Sequence, residues 1–184
     1  DGVNDSGRKT QHERVKEALR DFSQGKNQFL IIEGAVGMGK SEFLKVLGLN
    51  LGASDTVAIK VNGVPQEGFR PYYLTTNILV EIMNQRPDKG TKVLDELTPK
   101  ELSYLSYVLP QLAEPSARFE PEDPKTQRNA LFATLIHMIP TLLDSQPLIL
   151  LIDDFHFSDE ATLLLLRRLL IRQDIPLFIC GAAM

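Results

Sequence analysis

The stretch that most limits how this chain can fold is FLIIEGAVGMGKS, residues 29–41. Phe29 to Ile32 form a short apolar run that reads as a buried strand leading straight into glycine. Beyond the glycines, Phe43, Leu44, Leu47 and Leu51 share one helical face, so a helix is expected over about residues 39–51, with Gly52 as its C-cap. Between strand and helix, Gly34 to Ser41 satisfies G-x-x-x-x-G-K-[ST] at every constrained position. Glycines let the backbone curl until successive N–H groups point inward at a phosphate. The start of the following helix adds free N–H groups and its dipole. The expected contacts are the backbone of Gly34, Ala35, Val36, Gly37, Met38 and Gly39, with Lys40 on the β- and γ-phosphates. The Ser41 hydroxyl is then placed to ligate Mg²⁺. The alternative is a glycine-rich turn with an accidental lysine, which the strand before and the helix after argue against.

A second stretch, LILLIDDFHFSDE at Leu148–Glu160, becomes meaningful beside the first. Five apolar residues end in adjacent carboxylates, and a phosphate-binding loop makes an acidic strand end an expectation. Asp153 is assigned to the metal, directly or through water, and Asp154 to orienting or deprotonating an attacking water. Alternation along a strand would send the two side chains in opposite directions unless the strand has already ended. A capping or turn role is the alternative for Asp154. His156 either senses nucleotide or hydrogen-bonds the turn. Ser158 is the expected N-cap of the next helix, with Asp159 and Glu160 at its positive end. Arg167, Arg168 and Arg172 suit that helix's negative end, and a solvated or partner-facing role is expected of them.

The rest of the chain supplies the framework. Residues 1–7 read as a loose polar tail, followed by an amphipathic helix from about Lys9 to Phe22. Residues 56–61 read as a second strand, 62–73 as a Gly/Pro-rich connection and 74–83 as a helix. Thr98-Pro99-Lys100-Glu101 carries helix-start signals, and that helix is expected to reach about Leu109. Residues 113–124 read as a surface loop, and 125–143 as a helix that Pro140 should kink or end early. A Leu-dense helix over 158–172 and a fourth strand over 176–180 complete the pattern. Continuously apolar strands alternating with helices predict an α/β fold, with a parallel sheet covered on both faces.

Composition narrows the function classes. With 43% apolar and 24% charged residues, the chain reads as a globular domain. Its net charge of −4 and the lack of a dense basic block give no direct nucleic-acid signal. No apolar run approaches the roughly 18 residues of a membrane span, and the polar start resembles no signal peptide. The single Cys180 excludes an internal disulfide, and a cytoplasmic setting is expected. A first residue of Asp and a last stretch of GAAM suggest a piece of a longer protein.

With these residues in hand, LLIDDFHFSDEATLLLLRRL resembles the DDLHWAD-type segment of STAND-class and related AAA+-like P-loop ATPases. Such modules occur in large bacterial signalling regulators and alongside soluble adenylyl cyclase catalytic domains. Upstream, GRKTQHERVKEAL resembles the G-R-x-x-E-x-x-x-L segment that precedes the P-loop there, with Gly7 and Arg8 in place and Glu13 falling late. Phe157 stands for the usual Trp and Ser158 for the usual Ala. The resemblance implies a three-layer αβα domain with strand order 5-1-4-3-2, the P-loop strand lying next to the one that carries Asp153. The division implied is a leading segment with the N-terminal helix over 1–28 and the P-loop core over 29–184. The fifth strand, γ-phosphate sensor and following helical domains would lie outside this chain, and unaided turnover is in question without them. Arg8 is the nominated nucleotide contact of the leading segment. The resemblance implies ATP, with GTP less favoured, and Mg²⁺. It also implies contacts with neighbouring domains of the same longer chain, with nucleotide-dependent self-association as a further option. The expected function is a slowly hydrolysing ATP switch of a signalling protein. A non-hydrolysing nucleotide-binding scaffold is the alternative, and a small-molecule kinase the less favoured third.

Overall fold

The computed structural model describes residues 3–33, 56–113, 122–172 and 175–183. Its centre is a four-stranded parallel sheet of β1 (Gln28–Glu33), β2 (Val57–Asn62), β3 (Leu148–Asp153) and β4 (Leu177–Ala183), in the order β1-β4-β3-β2. This is the expected fold class and the expected order of the first four strands. One expectation is corrected: β1 is not beside the strand carrying Asp153. β4 pairs with β1 on one side and with β3 on the other, and so stands between them.

The two central strands are buried on both faces, and β3 is apolar throughout until Asp153. The edge strand β2 instead alternates: Val57, Ile59 and Val61 are buried while Ala58, Lys60 and Asn62 are exposed. Continuous burial therefore holds only at the centre, where helices cover both sides.

Helix α1 (Val3–Ser23) lies on one face, where Val15 and Ala18 pack with Leu30, Ile32, Ile149, Leu151, Phe178 and Cys180. The helix takes in residues 3–7, which the sequence suggested as a loose tail. The other face carries the larger core. There α2 (Tyr73–Gln85), α3 (Pro87–Glu96), α4 (Pro99–Leu105), α5 (Pro124–Leu143) and α6 (Glu160–Ile171) pack over Val57, Ile59, Leu148, Leu150, Leu177 and Ile179. The αβα layering is thus present.

Several boundaries differ for local reasons. Helix α3 went unread in the sequence; it opens with Pro87 at its first position and buries Val93 and Gly90. Helix α4 starts as expected, with a reciprocal capping box between Thr98 and Glu101, but ends at Leu105. Leu109 precedes Pro110, whose ring disfavours helical geometry in the residue before it. Helix α5 runs through Pro140 to Leu143. A helical proline costs roughly 3 kcal/mol, but Leu142 and Leu143 just beyond it are completely buried. At about 1.5–3 kcal/mol each, their burial outweighs the proline.

Candidate functional site

Parallel strands gather their C-terminal ends at one edge of the sheet, and the residue register fixes what meets there. Ile31, Gly181 and Ile152 align across β1, β4 and β3, and Val61 of β2 completes the row. Asp153 lies one residue beyond that row, opposite Asn62. On β1 the strand ends at Glu33, the residue before Gly34. The exits of β1 and β3 therefore open on the same edge, two strand spacings or about 10 Å apart. Gly34, Ala35, Val36, Gly37, Met38, Gly39, Lys40 and Ser41 lie outside the described residues, as does the helix expected after them. Arg8 falls on α1.

Asp153 is half-buried, and its Oδ1 accepts a hydrogen bond from the Asp154 N–H at 2.9 Å. Its backbone carbonyl accepts from the Gly63 N–H at 2.8 Å, tying the exit of β3 to that of β2. Among the described residues nothing donates to Asp153 Oδ2, and no group of three His, Cys, Asp or Glu side chains is placed to hold a metal. A half-buried carboxylate with a free oxygen fits Mg²⁺, which is usually held by one or two carboxylates plus phosphates and water rather than by a protein cage.

Asp154 is no longer part of the strand. Its backbone is left-handed, with φ 48° and ψ 48°, and its carbonyl accepts from the Phe157 N–H at 2.9 Å to close a 3₁₀ turn over Phe155–Phe157. The alternation argument for the two carboxylates therefore does not apply. Phe155 presses this turn onto the sheet. A Cβ at Gly181 would come within 2.8 Å of its ring, so only glycine leaves room for Phe155 above β4. The ring also meets Phe29 edge to face at 5.6 Å.

Residues 6–180 match the family described as AAA ATPase domain. The chain belongs to that family. It is a nucleotide-binding ATPase module of the AAA+-like P-loop type, a family that typically binds nucleotide with Mg²⁺. No curated protein matches it.

In this AAA ATPase domain, the segment between β3 and α6 also holds a residue whose reach the sequence did not reveal. The N-cap of α6 is Asp159, not the expected Ser158. The Ser158 hydroxyl is buried and has no hydrogen-bond partner among the described residues. Asp159 is 1% exposed and accepts bonds from the N–H of Tyr72 and Leu74 as well as from Thr162 of its own helix. The only sequence signal was an acidic residue at a helix start, and it carries no hint of a partner 85 residues away. His156 is exposed, and its ring lies 4.1 Å from that of Phe157, making no hydrogen bond with the described residues. Arg168 does more than face solvent: its guanidinium sits over the Phe132 ring, 4.6 Å from the centroid. No helix among the described residues is long and apolar enough to cross a membrane.

Proposed function

We propose that this AAA ATPase domain is an ATP-binding, slowly hydrolysing switch of a larger signalling protein. The observation that carries the reading is that β1 ends one residue before GAVGMGKS while β3 ends, at the same sheet edge, in Asp153. In this reading the backbone of Gly34 to Gly39 cradles the phosphates, Lys40 binds the β- and γ-oxygens, and Arg8 contacts the nucleotide. Ser41 and Asp153 hold Mg²⁺, which when bound neutralises charge on the phosphates. Asp154 orients or deprotonates the attacking water. The γ-phosphate then sets which contacts form with neighbouring domains of the longer chain, or between copies of it. A cytoplasmic setting suits the single free Cys180.

The test is ATP binding and steady-state phosphate release by the full-length protein. Lys40→Ala and Asp153→Ala should each abolish turnover, and Lys40→Ala should also weaken ATP binding. Asp154→Asn should stop release while ATP affinity holds. Tight binding with no release in the unaltered protein would replace the switch by a binding scaffold. Unchanged binding and turnover in both alanine variants would refute the reading altogether.

A further inference from the structure

We infer that Asp159 is a positioning residue that holds the Asp154 turn against the start of α2. The inference rests on the ATPase reading for what the turn does, and on hydrogen bonds alone for how it is held. An ordinary N-cap accepts bonds from its own helix. Asp159 serves two helices at once. Its Oδ2 accepts from the Tyr72 N–H at 2.9 Å and the Thr162 N–H at 2.9 Å, and its Oδ1 from the Leu74 N–H at 3.0 Å. The Thr162 hydroxyl donates to the same carboxylate. Buried with no cationic partner among the described residues, the carboxylate is compensated by these donors and by two positive helix ends.

The proton order beyond it follows from valence. Thr162 has one hydroxyl hydrogen and gives it to Asp159, so its oxygen can only accept from Thr75. It does so twice, from the Thr75 N–H at 3.0 Å and from the Thr75 hydroxyl at 2.7 Å. A relay of two buried hydroxyls thus runs from α2 to the carboxylate.

Both ends of the turn are tied to the one segment that leaves β2. At the near end Gly63 donates to Asp153; at the far end Tyr72 and Leu74 donate to Asp159. Between these ties sits Asp154 at φ 48°, and Tyr72 on the facing segment has φ 65°. Left-handed non-glycine residues persist where their surroundings over-determine them. The position of Asp154 therefore depends on α2, through Asp159.

Asp159→Asn in the full-length chain tests this, because an amide nitrogen cannot accept the N–H bonds. Losing charge-assisted bonds should speed amide exchange at Phe157 and Ser158 about tenfold or more, leave the amides inside β3 unchanged, and lower kcat by a similar factor with KM held within about threefold. Thr75→Val, which keeps the carboxylate and removes only the outer hydroxyl, should speed the same exchange about threefold. It decides the matter if Asp159→Asn does not fold. Unchanged exchange at Phe157 and Ser158 overturns the inference. So does faster exchange spread evenly over α2 and α6 with kcat per folded molecule unaltered, the signature of a purely structural cap. A parent protein that releases no phosphate refutes the ATPase reading instead, and the exchange result then still decides how the turn is held.

Discussion

Replacing Gly63 by alanine should disturb the turn after β3 although Gly63 belongs to neither that strand nor its loop. A Cβ built at Gly63 stands 2.3 Å from the Asp154 carbonyl oxygen and 3.1 Å from Phe157 Cβ. Real Cβ contacts essentially never fall below 3.0 Å, so about 0.7 Å must be found. The obstacle is backbone rather than the tip of a flexible side chain, and the turn itself has to move. Gly63 does not have a positive φ, so the penalty is steric and not conformational. Overpacking of this kind costs about 1–3 kcal/mol, and loosening the Gly63 N–H to Asp153 bond adds about 0.5–1.5. Reduced freedom of the unfolded chain returns about 0.4–1 kcal/mol. The expected net loss is about 0.5–4 kcal/mol, centred near 2, read from urea unfolding at constant m. Phosphate release should fall with it, because Asp154 moves with its carbonyl. Gly25→Ala is the control: its φ is 89° and nothing lies within 4 Å, so it should lose about 1–2 kcal/mol from backbone strain and leave turnover alone. If Gly63→Ala unfolds within about 0.5 kcal/mol of the parent and hydrolyses normally, the close packing of the two strand exits is wrong.

Three further outcomes are expected. Burial pushes the Cys180 thiol up to about 12, so the native protein should resist thiol reagents at neutral pH and react only on unfolding. Because the unfolded thiol ionises first, its contribution is complete below about pH 9 and is lost toward pH 12, at up to about 1.4 kcal/mol per unit; the stability gap between parent and Cys180→Ala should narrow over that window. Arg168→Ala should cost about 0.5–1 kcal/mol in denaturant unfolding through its lost seat on Phe132, and Arg167→Ala less. Thr98→Ala removes the hydroxyl half of a capping box, leaving the residue-98 N–H to the Glu101 carboxylate, and should cost about 1 kcal/mol without touching turnover.

Features written in local spacing were legible. The four strands, the strand order, the Thr98 capping box and the end of β3 at Asp153 all follow from short runs and near neighbours, or from a resemblance carried by them. What stayed hidden depends on distant residues or on one dihedral. Ser158 and Asp159 are both good N-caps, and bonds from Tyr72 and Leu74 decide between them. For Asp154 the sequence left a strand position and a turn both open, and a left-handed φ decides for the turn. Helix α3 was masked by Gly90, a poor helix former in general, although a Cβ there would meet Met83 only at an ordinary contact distance of 3.4 Å.

The misplaced neighbour of β1 has a consequence for the site. Adjacent strands would set the exits of β1 and β3 about 5 Å apart. β4 doubles that spacing, and its last residues are Gly181, Ala182 and Ala183. These are the smallest side chains available. Gly181 is spoken for by Phe155, which covers one face of β4 and thereby anchors the turn bearing Asp154. Gly181 at the end of β4 thus seats the turn bearing Asp154, while β4 itself sets the interval between the exits of β1 and β3.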